Sequence, residues 1–379
     1  MAGLYIHIPF CKQACSYCDF YFVTRRNLLP DFVDALVNEI RHNRESLFTG
    51  ETIQTIYLGG GTPSLLTGNQ LERIFSSLHD IFRIEPLEIT MELNPDDVSV
   101  DYLNTIKNLG ITRASIGIQS FRPELLSFMH RAHSKDDAIR VLELIRKCNF
   151  PDFTADLIYG NPGQTVEMLQ EDIEQLLVFD PPHISAYSLT IEPKTRLGKQ
   201  VELGRIKPPD DEQVSDHFEC LRNMLEHAGL EQYEVSNFSK PGREALHNSN
   251  YWNHHNYLGL GPAAHSFRWK GDFAERWVNS PDIKTYLEKK PGDYRTDPEL
   301  LQLEQLAEER LMLGLRTRMG VDISTLAHRY NYKLSESQKY WIKNQEAGGT
   351  MIIQNGVLKL TPQGLKICDM LVVDLLSKR

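Results

Sequence analysis

The chain has 379 residues, 41% of them hydrophobic and 24% charged, with a net charge of −10 and no run of Lys or Arg. That length holds one large α/β domain and a smaller one, the composition is that of a soluble globular protein, and the acidic balance argues against a nucleic-acid binder, which needs a basic face. No stretch approaches the roughly 18 apolar residues of a membrane span, and the opening "MAGLYIHIPF" lacks the regions of a signal peptide, so a cytoplasmic protein with reduced thiols is expected.

Strand and helix patterns alternate along the first 230 residues. "LYIHI" (4–8) reads as a strand and 30–48 as a helix. "IQTIYL" (53–58) is a strand running into "GGGTP", and Thr67 caps a helix whose apolar face is Leu71, Ile74, Phe75 and Leu78. "EITMEL" (88–93) alternates with period two, and the helix after it starts near Ser99 and stops at Gly110. "RASIGI" (113–118), "FTADLIY" (153–159) and "ISAYSLTI" (184–191) are the next strands, with helices capped by Ser134 and Thr165 between them and another over 211–228. Six βα units in succession predict a parallel sheet curled into an incomplete barrel, with its chemistry at the C-terminal strand ends. The expected divisions are a barrel over 1–232, a connecting segment over 233–299 and a small winged-helix-like α+β domain over 300–379. In the last of these, Asn355-Gly356 between two apolar runs signals a hairpin.

"CKQACSYC" (11–18) places Cys11, Cys15 and Cys18 at the end of the first strand. Structural zinc wants four ligands, usually as two separated pairs, and no second pair exists. A redox C-x-x-C has no use for Cys11. The remaining reading is an iron–sulfur cluster, which usually takes four Cys; three leave one iron open to a reactant. Cys148, Cys220 and Cys368 stand alone and read as core thiols.

The C-x3-C-x2-C spacing, with Tyr17 as the aromatic beside the last cysteine, resembles the signature of radical S-adenosylmethionine (SAM) proteins. "YIHIPFC", "GGGTPS", "MELNP", "SIGIQSF" and "DLIYGNPGQT" are similar, in order and spacing, to oxygen-independent coproporphyrinogen III dehydrogenases and their heme-chaperone relatives, over nearly the whole chain. The resemblance implies a [4Fe–4S] cluster on the three cysteines and SAM on its open iron. It also implies SAM contacts from Gly60, Gly61, Thr62, Glu92, Gln119, Arg131 and Asp156, with Tyr5 and Tyr17 close by. The residues agree with that in part: Arg131 offers a planar fork to a carboxylate, and an acid such as Asp156 inside an apolar strand is costly unless paired.

Two departures separate the chain from the dehydrogenases. Where they carry a fourth cysteine, here stands Phe20, and only ten residues precede Cys11. Both features match the heme-chaperone branch, as does "HNSNYW" (247–252), which resembles that branch's H-N-x-x-Y-W heme motif and sits in a predicted turn. The resemblance thus implies a protein that is not itself a dehydrogenase. It would bind heme through His247, Tyr251 and Trp252 and deliver it to acceptor hemoproteins, membrane-associated respiratory proteins among them. An electron donor for the cluster and a cluster-dependent dimer complete the expected partners. The competing reading is radical decarboxylation of coproporphyrinogen III.

Overall fold

The computed structural model describes residues 2–45 and 47–379. Six strands follow the sequence pattern: β1 (Ala2–Ile8), β2 (Thr52–Gly60), β3 (Arg83–Leu93), β4 (Arg113–Gln119), β5 (Asp152–Tyr159) and β6 (His183–Ser188). Helices α1 (Leu29–His42), α2 (Gly68–Ile81), α3 (Val100–Asn108), α4 (Pro123–Phe128), α5 (Lys135–Lys147), α6 (Val166–Leu177), α7 (Arg196–Glu202) and α8 (Asp211–His227) follow or separate them. The caps act as expected: the hydroxyls of Thr67, Ser134 and Thr165 accept from the third helical N–H of α2, α5 and α6. Gly110 closes α3 in the left-handed region, at φ 91°. The first helix ends at His42, short of the expected 48, and 3-10 turns follow; residue 46 lies outside the described residues.

β1 to β6 pair in parallel and in order. Alternation gives the two faces different work. Leu4, Ile6, Ile56, Leu58, Met91, Ile116 and Leu157 are buried in one apolar cluster with the helices. The other row is polar: Tyr57 pairs with Tyr5 and with Thr90, Glu92 with Ser115, and Asp156 with Ser185. A curled sheet that turns polar side chains inward does not fill its own lumen, and here it encloses a cavity.

The segment 233–299 adds strands to both edges of the sheet, which becomes twelve-stranded. β7 (Glu231–Gln232) and β8 (Asn237–Ser239) close the β6 edge. They pair antiparallel, and the chain turns between them with Asn237 N–H donating to Glu234 O. Helix α9 (Leu246–Trp252) comes next, then β9 (Asn256–Leu260), β10 (His265–Trp269), β11 (Phe273–Val278), α10 (Ile283–Glu288) and β12 (Glu299–Gln302). β9 pairs in parallel with β1 and so adds a seventh strand to the parallel run, and β10 to β12 continue antiparallel.

The C-terminal part comprises α11 (Leu303–Leu315), β13 (Val321–Asp322), α12 (Ile323–Arg329), α13 (Glu336–Ala347), β14 (Met351–Gln354), β15 (Val357–Leu360), α14 (Pro362–Leu365) and α15 (Cys368–Ser377). β14 and β15 form the hairpin at Asn355-Gly356, both in the left-handed region as that turn requires. Its core is separate from that of the barrel, yet it takes in Phe267, Ala274 and Leu301 from the sheet edge.

Candidate functional site

The cysteine loop leaves β1 at the C-terminal end of the barrel and is tied down from three sides. Cys11 N–H donates to Val23 O (3.0 Å), Ser16 N–H to Met129 O (3.0 Å) and Leu197 N–H to Ser16 O (2.8 Å). Ser16 Oγ donates to Phe128 O (3.0 Å), so the loop rests on the turn after α4. Cys11, Cys15 and Cys18 are half-buried and line the mouth of one cavity of about 490 Å3. Burial pushes the Cys11 thiol up to about 11 and that of Cys18 up to about 12. Arg131 Nη1 lies 3.6 Å from Cys15 Sγ. Among the described residues no three His, Cys, Asp or Glu are drawn together around a metal ion. The three thiols line one cavity together.

Below the rim, the expected SAM contacts converge. Tyr17, Gly60, Gly61, Thr62, Glu92, Gln119, Arg131 and Asp156 all line the same cavity. Glu92 accepts from Tyr57 OH (2.8 Å) and from Gly60 N–H (3.1 Å). Its carboxyl is nonetheless pushed up to about 7 by burial. Asp156 is raised to about 7 by burial and by the nearby Glu92, against the pull of the Ser115 hydroxyl at 3.3 Å. Arg131 donates to Asn94 Oδ1 (2.5 Å) and to Gly117 O (3.1 Å), which leaves its Nε without a partner. Gln119 sits in the left-handed region at φ 66°, a strained conformation for a side-chain residue, and its buried Oε1 is unpartnered. Strain and orphaned polar atoms in one cavity are what a polar ligand would relieve.

The glycines have a reason other than close ligand approach. A Cβ on Gly60 would lie 2.4 Å from the His7 ring, and one on Gly61 would lie 2.8 Å from Phe10 O. The loop is glycine-rich because it packs against the end of β1. Tyr5 turns its hydroxyl to His7 Nδ1 at 3.1 Å and stacks its ring on Tyr57, which lines the cavity. Sequence reasoning passed over Tyr57, Asn94 and Ser115, which hold Glu92, Arg131 and Asp156. Strand parity with Glu92 could have found Tyr57 and Ser115.

"HNSNYW" is not an exposed turn. It forms α9, which contacts the inward faces of β1, β2 and β3, and His247 is 1% exposed. The Glu88 carboxylate on β3 caps the helix start, accepting from Leu246 N–H and His247 N–H at 3.0 Å each. Gly3 leaves room for the imidazole: a Cβ there would lie 3.2 Å from His247 Cε1. His247 Nδ1 is bonded to Thr55 Oγ1 (2.9 Å) and Nε2 to Tyr251 OH (2.8 Å), and burial lowers its pKa to about 3. Tyr251 sets its ring edge-on to Tyr257, and Trp252 O accepts from Arg310 Nη1 (2.5 Å).

The profile of the radical SAM superfamily matches residues 5–176, and that of the HemN C-terminal domain matches residues 301–367. The chain is 34% identical over 372 residues to the heme chaperone HemW of Bacillus subtilis, covering 96% of both proteins. The chain belongs to the HemW family. A further HemW, from Mycobacterium tuberculosis, is 32% identical, with 99% of this chain and 95% of that protein covered. Among solved structures, the coproporphyrinogen III oxidase HemN of Escherichia coli, a radical SAM enzyme, superimposes with a TM-score of 0.84 at 22% identity. That match covers 99% of this chain and 89% of HemN, and it shows a shared fold. The radical SAM superfamily implies a [4Fe–4S] cluster and SAM, and the HemW name implies heme and hemoprotein acceptors. No helix among the described residues is long and apolar enough to cross a membrane.

Proposed function

We propose that this protein is a cytoplasmic heme chaperone that binds heme and passes it to acceptor hemoproteins. In this reading it carries a [4Fe–4S] cluster on Cys11, Cys15 and Cys18 with SAM alongside. The observation that carries the reading is 34% identity to a HemW heme chaperone over 96% of both chains. Phe20, 66% exposed beside Cys18, supports it, because the dehydrogenase pattern has a cysteine there. A cluster held by three thiolates supplies electron transfer at an open iron. Arg131 and Gln119 would hold the carboxylate end of SAM, with Arg131 oriented by Asn94. Glu92 and Asp156 would accept from its ribose and amino groups, and Gly60 N–H keeps Glu92 turned toward the cavity. An external reductant would serve the cluster, and the cluster would control heme transfer or dimer formation.

The test is anaerobic reconstitution followed by hemin titration and a coproporphyrinogen III assay on the same sample. Stoichiometric hemin binding without SAM-dependent decarboxylation is expected. Robust decarboxylation would replace this reading with the dehydrogenase one.

A further inference from the structure

A histidine that ligates iron needs a neutral ring with one nitrogen bare, and it is usually oriented by a hydrogen bond from the other nitrogen. His247, His254, His255 and His265 lie within 247–265. Both nitrogens of His247 are engaged. So are those of His254, by Tyr330 OH (3.2 Å) and by the Glu309 carboxylate (3.3 Å). His265 is exposed, and no hydrogen bond among the described residues fixes its ring.

His255 is different. It is half-buried, and its Nδ1 meets Asn250 Oδ1 at 3.2 Å. Asn250 Nδ2 donates to Thr55 Oγ1 (2.9 Å), so the amide oxygen is the end turned toward His255. Nδ1 therefore carries the proton and Nε2 is bare. Burial, with Arg329 and Arg310 near, lowers the pKa and keeps the ring neutral.

The same segment gathers cations. Arg310 holds Trp252 O, and Arg329 lies 4.5 Å over the Trp269 ring, whose Nε1 donates to His254 O (2.8 Å). Neither arginine has a carboxylate partner among the described residues. The nearby Glu309 is taken by Arg276 (2.8 Å) and His254. A bare imidazole and two unneutralised guanidiniums together suit an iron porphyrin bearing carboxylates.

We propose that His255 Nε2 is the axial ligand of the heme iron and that Arg310 and Arg329 take the propionates; this assignment rests on the heme-binding reading above. The test titrates the full-length protein with hemin and with hemin dimethyl ester, read by optical and electron spin resonance spectra. In His255→Ala, affinity for hemin falls at least about tenfold, the loss expected when a ligand or its support is removed. The histidine signature disappears and returns on adding free imidazole, which a misfolded variant would not do. Arg329→Gln weakens hemin and leaves the dimethyl ester unchanged. If the wild type binds hemin and His255→Ala has the same affinity and spectrum, this assignment falls and the chaperone reading stands. If the wild type binds no hemin, both fall.

Discussion

The three clustered cysteines and the three solitary ones look alike in composition and differ in place. Cys11, Cys15 and Cys18 line one cavity, whereas Cys148 caps the C-terminal end of α5 and Cys368 is buried in the C-terminal core. Replacing any rim cysteine by Ser should abolish cluster binding, since a hydroxyl is a poor substitute for thiolate. Replacing Cys148 or Cys220 should leave iron and labile sulfide content unchanged. Glu92 gives a pH test that needs no cofactor. Its folded pKa is raised by burial from 4.5 to about 7, so the folded state holds a proton the unfolded chain gives up. The contribution is intact below pH 4.5 and is lost as pH rises through about 7. The wild type should therefore lose stability to urea between pH 5 and pH 8. Glu92→Gln, which keeps an acceptor for Gly60 N–H, should lose less; equal slopes would show that Glu92 is ionised throughout.

At the scale of elements, α9 is a seven-residue helix held at the barrel floor by a partner far away in sequence. Glu88 caps it and also pairs with Arg113 at 3.0 Å, both side chains 5% exposed. Removing one partner of a buried pair costs about 3–5 kcal/mol. Glu88→Ala should destabilise the protein by about 3 kcal/mol in chemical denaturation. It should also speed amide exchange over 246–252, and exchange there at the wild-type rate would show that the cap is not what holds α9. The "GGGTP" loop makes a second element-level case. Gly60→Val places a branched side chain at φ 105° against His7, so it should destabilise the apoprotein as well as weaken SAM binding. A variant of unaltered melting temperature would restore the simpler view that the glycine only makes room for a ligand.

At the scale of the whole molecule, the C-terminal part and the barrel are joined by β9 to β12, which extend one sheet and lend Phe267, Ala274 and Leu301 to the second core. His254 reinforces the joint, bridging to Tyr330 and Glu309. Leu311 lies at 0% exposure in that second core. Leu311→Ala should cost about 2–5 kcal/mol and lower a single calorimetric transition, because the shared strands make the two cores unfold together. A split into two transitions would show that they melt independently.

The sequence alone determined the six parallel strands, the caps at Thr67, Ser134 and Thr165, the hairpin at Asn355-Gly356 and the cysteine cluster. These rest on residues a few positions apart, so period and spacing reveal them. Glu92 and Asp156 were legible through strand-end logic, Arg131 came only with the family resemblance, and Asn94, which orients Arg131, was not legible at all. Only the tertiary structure decided the fate of 233–299 and of His247. Short strands declare themselves by the edge they pair with, which in β9 is the first strand of the chain. His247 is buried because Glu88, 159 residues earlier, and Thr55, 192 residues earlier, meet it inside the barrel. A motif expected in a turn became a helix with His247 and Asn250 buried, because its hydrogen-bond partners are close in space and remote in sequence.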